Sequence, residues 1–494
     1  MPIIKQFDMS GGQNSQTSPL FLKDNECEIV QNYHMDNLGS LTKRNGILYL
    51  IGQLPYAASI LGMYYFKDSQ GTDYSNLLIA QNDVGGSGHS DIYKITTNAW
   101  AVSKTDDVKS ALPVFTTFLD SVFRTNGSDK VGITADLTTW TDVDTPDTTV
   151  PDLKPKYTCV WEDRVYVAHE NGAAKYPSRL YWSSLPSAGD ITWTIGTDYA
   201  DINPDDNDDI TWIEPFGKVM LIFKNEGVYR WTFGQVEPDR IPGTRGTPQG
   251  YTVKQTQGIC FFANKFGAWA YTGTGLPILI SAKVQDFIDQ ISTLADMRAE
   301  VDHDHYYLYI GDVTVKGTAY ANTMLVYTIS KKSWHIETYP FEITAMARFK
   351  RNTLGTTEIY DAIYIGDDDG FVYRKDTEGI PGVTKSVKDY LGTTGNTING
   401  KIITKEYPLS NFPKSSILDN LYFLAQQRVG AKINYRIDRG EWEAWKDLKD
   451  RITEGKIAGR AKTIQFSITD NSIVTSKIEG FSIETKEERA IRRS

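Results

Sequence analysis

Two histidines flank an aspartate at His303, Asp304 and His305, and imidazole and carboxylate groups are common zinc ligands. The next residues, YYLYIG, are typical of a strand, in which the two histidines would share one face and Asp304 would take the other. A zinc site needs three or four ligands, and the neighbouring sequence offers no others. The triplet therefore predicts a surface or sheet-edge role without a metal.

Carboxylates are also concentrated in the segment DINPDDNDDI, at Asp201, Asp205, Asp206, Asp208 and Asp209. An oxygen-rich loop can hold Ca²⁺, which takes about six to eight oxygen ligands. The segment lacks the mid-loop glycine and terminal glutamate of the helix–loop–helix calcium site. The pattern therefore favours a solvated acidic loop.

Two glycine-containing segments are predicted to be turns. Asp367, Asp368, Asp369 and Gly370 are the residue types that a tight hairpin turn requires. The segment 271–275, YTGTG, lies between two predicted strands, so no helix N-terminus is available there to receive a phosphate.

Motifs of enzyme active sites are missing from the sequence. There is no GxSxG, no HExxH, no GxxxxGK[ST] and no GxGxxG between a strand and a helix. A glycosidase holds two carboxylates rigidly about 5–10 Å apart, and paired carboxylates occur here only in predicted loops. The sequence therefore predicts a protein that is not an enzyme and that has no catalytic residue, cofactor or metal.

An alternative function rests on the aromatic residues. Trp182, Trp193 and Trp212 could stack on sugar rings if they were exposed, which would suit a carbohydrate-binding or glycan-degrading protein. Loss of glycan binding in a Trp182→Ala variant would favour this alternative.

The elements that carry these residues repeat along the chain. An apolar, aromatic strand runs into a Gly/Asn/Asp turn, and a second strand with Tyr or Trp follows. The repeats are marked by seven anchors: Leu78, Phe123, Tyr166, Ile222, Trp269, Tyr309 and Tyr364. Their mean spacing of about 48 residues is near the 40–50 of a propeller blade. The pattern predicts an all-β propeller of six to eight blades, with a large sandwich as the competing interpretation.

Composition shifts divide the chain into three parts. Residues 1–53 are predicted to form an N-terminal arm, 54–385 the propeller, and 386–494 a C-terminal β-sandwich with a basic tail at 486–493. The Gly/Thr-rich segment 376–399 suggests a linker, and the turn at Asp438-Arg439-Gly440 suggests a hairpin. The apolar spacing in 284–291 predicts a short helix outside the ring.

Composition also restricts the partners. The net charge is −10 and the pI about 5.3, and basic residues cluster only in the tail, so tight DNA binding is not expected. Cys27, Cys159 and Cys260 are too scattered for a disulfide framework and predict reduced core thiols. No apolar run approaches the roughly 18 residues of a membrane span, and no signal-peptide core is present. We therefore expect synthesis in the cytoplasm.

The first fifty residues carry a family resemblance. GGQN at 11–14, SPLFLKDNE at 18–26 and GSLTKRNG at 39–46 follow the patterns GGxN, SPxxLxxNE and GSLxxRxG. This arrangement resembles the N-terminus of the tail nozzle, or packaged-DNA stabilisation, proteins of short-tailed bacteriophages. The alternating strands of the C-terminal region resemble the platform of the same proteins.

The resemblance implies a structural protein of the virion tail, made in the host cytoplasm. It implies a sixfold homo-oligomeric ring that extends the head-to-tail channel and helps to retain packaged DNA. Portal and adaptor proteins would lie above the ring, tail fibres or tailspikes beside it, and genomic DNA would pass without tight binding. The arm from Phe7 to Gly46 is expected to reach along the C-terminal domain or a neighbouring subunit, and its polar segment 11–18 is suited to ordering only on a neighbouring chain.

Overall fold

The structure is a computed structural model of the chain. It describes residues 3–35, 39–66, 77–83, 88–95, 99–143, 153–172, 175–187, 189–352, 359–375, 388–409, 415–426, 430–448, 451–457, 459–473 and 476–487. Strands dominate these residues, as the β-branched and aromatic runs between Gly and Asn/Asp turns predict. Among them, no helix is long and apolar enough to cross a membrane.

Seven four-stranded antiparallel meanders surround one axis, and we number them as blades 1 to 7. Blades 1 to 3 comprise the strands Ile60–Tyr65, Leu77–Asn82, His89–Ile95 and Trp100–Val108; Val114–Phe118, Ser121–Thr125, Gly132–Thr134 and Thr141–Asp142; and Pro155–Trp161, Arg164–Glu170, Tyr176–Trp182 and Tyr199–Asp201. Blades 4 and 5 comprise Ile210–Phe216, Val219–Lys224, Val228–Trp231 and Asp239–Arg240; and Lys254–Thr256, Ile259–Asn264, Gly267–Tyr271 and Ile278–Leu279. Blades 6 and 7 comprise Arg298–Val301, His305–Val315, Thr318–Thr328 and Ser333–Thr338; and Ile343–Asn352, Ile359–Asp367, Val372–Arg374 and Leu48–Tyr49.

Six of these meanders are separate sheets, and blade 6 is part of a larger sheet. The predicted all-β propeller of six to eight blades is therefore confirmed. The anchors lie in the second strand of their blades, except Trp269, which lies in the third strand of blade 5. Each of the seven anchors therefore lies in a different blade, and their spacing in the sequence corresponds to the spacing of the blades.

The ring is closed by a strand that precedes blade 1 in the chain. Leu48–Tyr49 is the outermost strand of blade 7 and pairs with Tyr373 and Arg374. On the inner side, blades 7 and 1 share an apolar cluster in which Phe349 stacks on Tyr364 at 3.8 Å between ring centroids. The prediction assigned this strand to the arm, residues 1–53, but it belongs to the propeller because its N–H and C=O groups complete the sheet.

The platform below blade 6 is a sandwich of two sheets. The first sheet comprises Ile3–Gln6, Tyr33–Met35, Leu41–Lys43, Ser416–Gln426, Ile452–Lys456, Arg460–Ala461 and Lys477–Glu487. The second comprises Gly12–Gln13, Glu26–Gln31, Gly400–Thr404, Tyr407–Pro408, Ala431–Ile437, Glu443–Asp447 and Thr463–Asp470. The N-terminal arm and the C-terminal region therefore build one platform together, as predicted.

The two sheets enclose one apolar core. Phe423, Phe466 and Phe481 contact one another in it at centroid distances of 5.1 to 5.3 Å, and Val30 from the arm is buried beside them. The C-terminal strands alone would leave this core open on the side that the arm covers.

The arm is ordered on its own chain, which corrects the expectation for the segment 11–18. Gln13 is fully buried, and its Oε1 accepts a hydrogen bond from the N–H of Val30 at 3.0 Å. Ser15 N–H donates to the carbonyl of Lys283 at 2.9 Å. Low apolar content did not prevent burial here, because hydrogen bonds such as these pair buried polar groups of the segment with the rest of the chain.

One sheet connects platform and propeller. Glu26–Gln31 lies between Ser333–Thr338 of blade 6 and Gly400–Thr404 of the platform, so the second platform sheet and blade 6 are continuous. Backbone hydrogen bonding therefore joins the platform directly to blade 6.

Three smaller predictions have mixed outcomes. The helix predicted in 284–291 covers only Gln285–Ile288, and its Phe287 is buried against the second and third strands of blade 6. In the predicted linker, Lys388–Leu391 pairs with Thr394–Thr397 in a hairpin, while 376–387 lie outside the described residues. The hairpin after Ile437 is confirmed, because Ala431–Ile437 pairs with Glu443–Asp447.

The cysteines are free and buried, as predicted. Burial raises the pKa of Cys27 to about 12 and raises that of the other two thiols. The basic tail at 486–493 lies almost entirely outside the described residues.

Candidate functional site

A cavity on the propeller axis, which we call the tunnel, is lined by residues from the innermost strand of all seven blades. Its volume is about 470 Å³. Side chains from distant parts of the chain meet there, among them Tyr64, Trp212, Glu214, Lys254 and Glu300. A cavity of about 300–1,000 Å³ suits a small molecule. It is far too small for a nucleic-acid duplex.

The tunnel contains two glutamates in different surroundings. Glu300 forms an ion pair with Lys254, whose Nζ lies 3.2 Å from its Oε2. Glu214 accepts a hydrogen bond from the indole N–H of Trp212 at 3.0 Å. Burial raises the pKa of Glu214 to about 7, and the nearby Glu300 charge adds to the effect.

This pKa gives a stability prediction. The folded protein favours the protonated form of Glu214, so its contribution to stability is complete below the ordinary pKa of 4.5 and is lost as pH rises through about 7. Glu214→Gln cannot ionise. We expect it to exceed the wild type in stability by up to about 3 kcal/mol at pH 8 and to match it near pH 4.5.

Urea unfolding at the two pH values measures the difference. Glu237→Gln, at an exposed position of the same blade, is the control and should change the stability by less than about 0.5 kcal/mol. An equal stability change for Glu214→Gln at both pH values would contradict a buried glutamate with a raised pKa.

A second polar cluster lies between the platform and blade 6. His34 comes from the platform strand Tyr33–Met35, and His335 and Glu337 come from Ser333–Thr338 of blade 6. Glu337 Oε1 lies 3.5 Å from His34 Nε2, 3.7 Å from His335 Nε2 and 3.1 Å from Lys375 Nζ. The three ligand atoms of His34, His335 and Glu337 lie within 4.8 Å of one another, the only such group of three potential metal ligands in the described part of the chain.

The electrostatics of this cluster are set by burial. Burial lowers the pKa of His335, which favours the neutral ring. Burial alone would raise the pKa of Glu337, but Lys375 and the surrounding cations hold it well below its usual range. Glu337 also accepts a hydrogen bond from the hydroxyl of Tyr339.

The HDH triplet only borders this cluster. His303 is exposed, Asp304 accepts a hydrogen bond from the Ser330 hydroxyl, and His305 lies 3.0 Å from Asp302. The rings of His305 and His34 are 6.5 Å apart. Additional potential metal ligands therefore lie near the triplet in space. The sequence around the triplet gave no sign of them, because they come from distant parts of the chain. His34 and His335 are 301 positions apart, and the sequence holds no signal that pairs them.

The acidic segment uses its carboxylates within its own chain. Asp201 forms a two-pronged ion pair with Arg179, at 2.6 and 2.9 Å. Asp206 Oδ1 lies 2.7 Å from Lys224 Nζ, and Asp208 accepts hydrogen bonds from the N–H groups of Asn225 and Glu226. These contacts position the loop between blades 3 and 4.

Both predicted turns are confirmed. Asp367 Oδ1 accepts hydrogen bonds from the backbone N–H groups of Asp369 and Phe371, with N···O distances of 3.1 and 2.7 Å. This aspartate therefore stabilises the hairpin turn. The segment 271–275 begins at the end of Gly267–Tyr271, which pairs with Ile278–Leu279. A phosphate-binding helix is absent from that turn, which is fully described.

The three tryptophans have separate surroundings. Trp182 stacks on Trp231 at 5.5 Å, and Trp193 is buried against blade 3. Trp212 lines the tunnel. The structure does not bring them together on one sugar-binding surface.

Neither a protein-family model nor a curated protein matches the chain. Among solved structures, the chain is similar to YCF48 bound to a D1 peptide. The identity is 11%, the TM-score is 0.41, and the match covers 69% of this chain and 98% of that chain. A likeness of this size carries no argument about function, and the propeller rests on the strand pairings of this chain itself.

Proposed function

We propose that this chain is a structural subunit of a ring-shaped tail nozzle of a short-tailed bacteriophage. The ring, of six copies, would extend the portal and adaptor channel, retain the genome and conduct it during ejection. The observation that supports the proposal is the position of the residues that carry the family resemblance. Most of them are buried at the junction of arm, platform and propeller, whereas Ser18 is exposed and Pro19 and Asn25 are half-buried.

Two glycines of the resemblance stand where no side chain fits. A Cβ at Gly12, whose φ is +68°, would lie 2.6 Å from the carbonyl oxygen of Trp334 in blade 6. A Cβ at Gly46 would lie 2.0 Å from the carbonyl oxygen of Lys388. The close backbone approach at both sites requires glycine.

The polar residues of the resemblance connect the same parts. Asn14 donates to Glu26 at 3.0 Å, and Glu26 forms an ion pair with Lys283 between blades 5 and 6. Arg44 pairs with Asp389 and donates to the carbonyl of Thr338. The residues that carry the resemblance therefore attach the platform to the propeller. A subunit of a tail ring would need such a rigid attachment.

The tunnel is too small to serve as the DNA path that the proposal requires. A cavity of about 470 Å³ holds a small molecule and no duplex. If the chain conducts DNA, the lumen lies between copies, as in a heterologous ring that closes by rotation.

Charge is divided unevenly along the chain. Residues 54–385 contain 29 Lys/Arg and 43 Asp/Glu, a net charge of −14, and the remaining residues carry a net charge of +4. An acidic propeller repels DNA phosphates, whereas each cation that neutralises a phosphate adds affinity through counterion release. A lumen lined by the propeller would therefore let a genome pass.

The platform offers an edge for a neighbouring copy. Glu443–Asp447 and Ile452–Lys456 are edge strands of the two sheets, and they adjoin because Lys446 Nζ donates to the Glu454 carbonyl at 2.6 Å. Ile452 at this edge is 55% exposed. Exposed strand edges with apolar side chains favour association with another chain.

We expect the full-length chain to form a closed ring of six, visible by negative-stain microscopy and by light scattering at high concentration. Ile452→Asp should abolish the ring and leave a folded monomer, because the aspartate would place a charge in the interface. Val236→Asp, on the exposed rim of blade 4, is the matched control and should assemble. Rings in both variants would exclude this edge as the contact.

DNA binding gives a second measurement. The assembled ring is expected to bind duplex DNA only weakly at about 0.15 M salt. Submicromolar, strongly salt-dependent binding would contradict a conduit. A chain that stays monomeric under all these conditions would contradict the nozzle itself.

A carbohydrate-binding propeller is the second candidate. Trp212 and Glu214 lie side by side in a tunnel of small-molecule size, a combination of aromatic face and hydrogen-bonding group that suits a sugar. A glycan array with the monomer, and loss of its signal in Trp212→Ala, would favour this function over the nozzle.

A further inference from the structure

Three ligand atoms converge where the platform meets blade 6. They are Nε2 of His34, a ring nitrogen of His335 and Oε1 of Glu337. The two histidine–glutamate distances are 3.5 and 3.7 Å. In a tetrahedral zinc site with bonds of about 2.0–2.2 Å, ligand atoms lie about 3.4 Å apart. The two histidine–glutamate distances are within a few tenths of an ångström of that value, and all three ligand atoms lie within 4.8 Å of one another.

His335 supplies an independent observation. Its side chain is 1% exposed, and neither of its ring nitrogens has a hydrogen-bond partner. A buried polar atom without a partner costs about 1–3 kcal/mol, and the great majority of such atoms in proteins are satisfied. A metal ion beside Nε2 would give this buried imidazole the partner that it lacks.

The surroundings suit a metal ligand set. Tyr339 donates its hydroxyl hydrogen to the other oxygen of Glu337, which orients the carboxylate as outer-shell groups do in metal sites. His34 is one quarter exposed, so an ion can reach the cluster from its side. Lys375 is the competing cation, because its Nζ already lies 3.1 Å from Glu337 Oε1.

We propose that His34, His335 and Glu337 bind a divalent first-row transition metal ion, with Zn²⁺ as the ion that two imidazoles and a carboxylate suit best. Three protein ligands leave a fourth position for water. The ion joins the platform strand Tyr33–Met35 to the blade strand Ser333–Thr338 and so clamps the platform to the propeller. This site does not rest on the proposed function, since a monomer and a ring would both contain it.

Titration calorimetry of the chelator-treated full chain with Zn²⁺ tests the proposal. We expect one ion per chain, a rise in melting temperature with Zn²⁺ but not with Mg²⁺, and visible absorption typical of tetrahedral coordination when Co²⁺ replaces Zn²⁺. His34→Ala should weaken binding by about 100-fold or more, beyond the loss of an outer-shell partner. His303→Ala, an exposed histidine nearby, should bind like the wild type.

Lys375→Met provides a test that does not depend on removing a ligand. The substitution removes the competing ammonium, so the proposal expects tighter Zn²⁺ binding and a larger thermal stabilisation by the ion than in the wild type. A purely internal ion-pair cluster would lose stability in this variant, and Zn²⁺ would not restore it. The proposal is overturned if Zn²⁺ does not saturate one site, or if His34→Ala and His303→Ala bind it equally.

Discussion

Replacing Arg44 with methionine is expected to lower the free energy of unfolding by about 3–5 kcal/mol. The guanidinium is 1% exposed and forms a two-pronged pair with Asp389. It also donates to Asn32 Oδ1 and to the carbonyl of Thr338, both at 2.9 Å, and lies 4.7 Å from the ring centre of Tyr339. Methionine fills similar space but leaves the Asp389 carboxylate buried without its cation.

Urea unfolding measures the loss, and a double variant separates its causes. Arg44→Met with Asp389→Leu removes both charges, so it should recover much of the stability that the single variant loses. Arg436→Met is the control: this platform arginine is half-buried, hydrogen-bonded to Gln465 at 2.7 Å, and should cost about 1 kcal/mol or less. Equal losses at the two arginines would contradict a special role for the junction.

Trp231→Ala is expected to cost about 3–5 kcal/mol by opening a cavity between blades 3 and 4. Trp231 is fully buried, and its indole N–H donates to the carbonyl of Gln235 at 2.9 Å. Its ring lies 5.5 Å from Trp182 and about 6 Å from Trp161 and Tyr166, all in blade 3. The substitution therefore removes the centre of an inter-blade aromatic cluster.

Thermal unfolding of the variant reports this loss. Trp442→Ala is the matched control, because Trp442 is partly exposed on the platform and should cost far less. If Trp231→Ala melted at the wild-type temperature, the aromatic cluster would not contribute to the stability of the ring.

The repeating strand phrases favoured the propeller over the competing large sandwich. Each phrase is one hairpin with its turn, and local residue types specify hairpins: Asp367 and its glycine fix a turn wherever the hairpin lies. Blades of this kind cannot bury both faces alone, so the repeat favours packing against neighbouring blades in a closed ring. The all-β class, the blade period and the buried free cysteines followed from composition and spacing.

Contacts between distant segments were decided by the tertiary structure. Nothing local marks Leu48–Tyr49 as the strand that closes blade 7, because a two-residue strand is specified by its partner and not by its own pattern. The polar segment 11–18 was expected to order only on a neighbouring chain, yet Gln13 is buried within its own chain, where its Oε1 accepts a hydrogen bond from the N–H of Val30.

For the candidate sites too, the sequence indicated some residues and the tertiary structure revealed others. Sequence spacing drew attention to His303 and His305, which are two positions apart in the chain, but the potential ligands that converge are His34, His335 and Glu337. Likewise, Glu214 is an ordinary glutamate in the sequence and acquires its raised pKa only where seven strands enclose it. Residue type fixes what a side chain can do, whereas burial and the partners that folding brings from hundreds of residues away decide whether it does so.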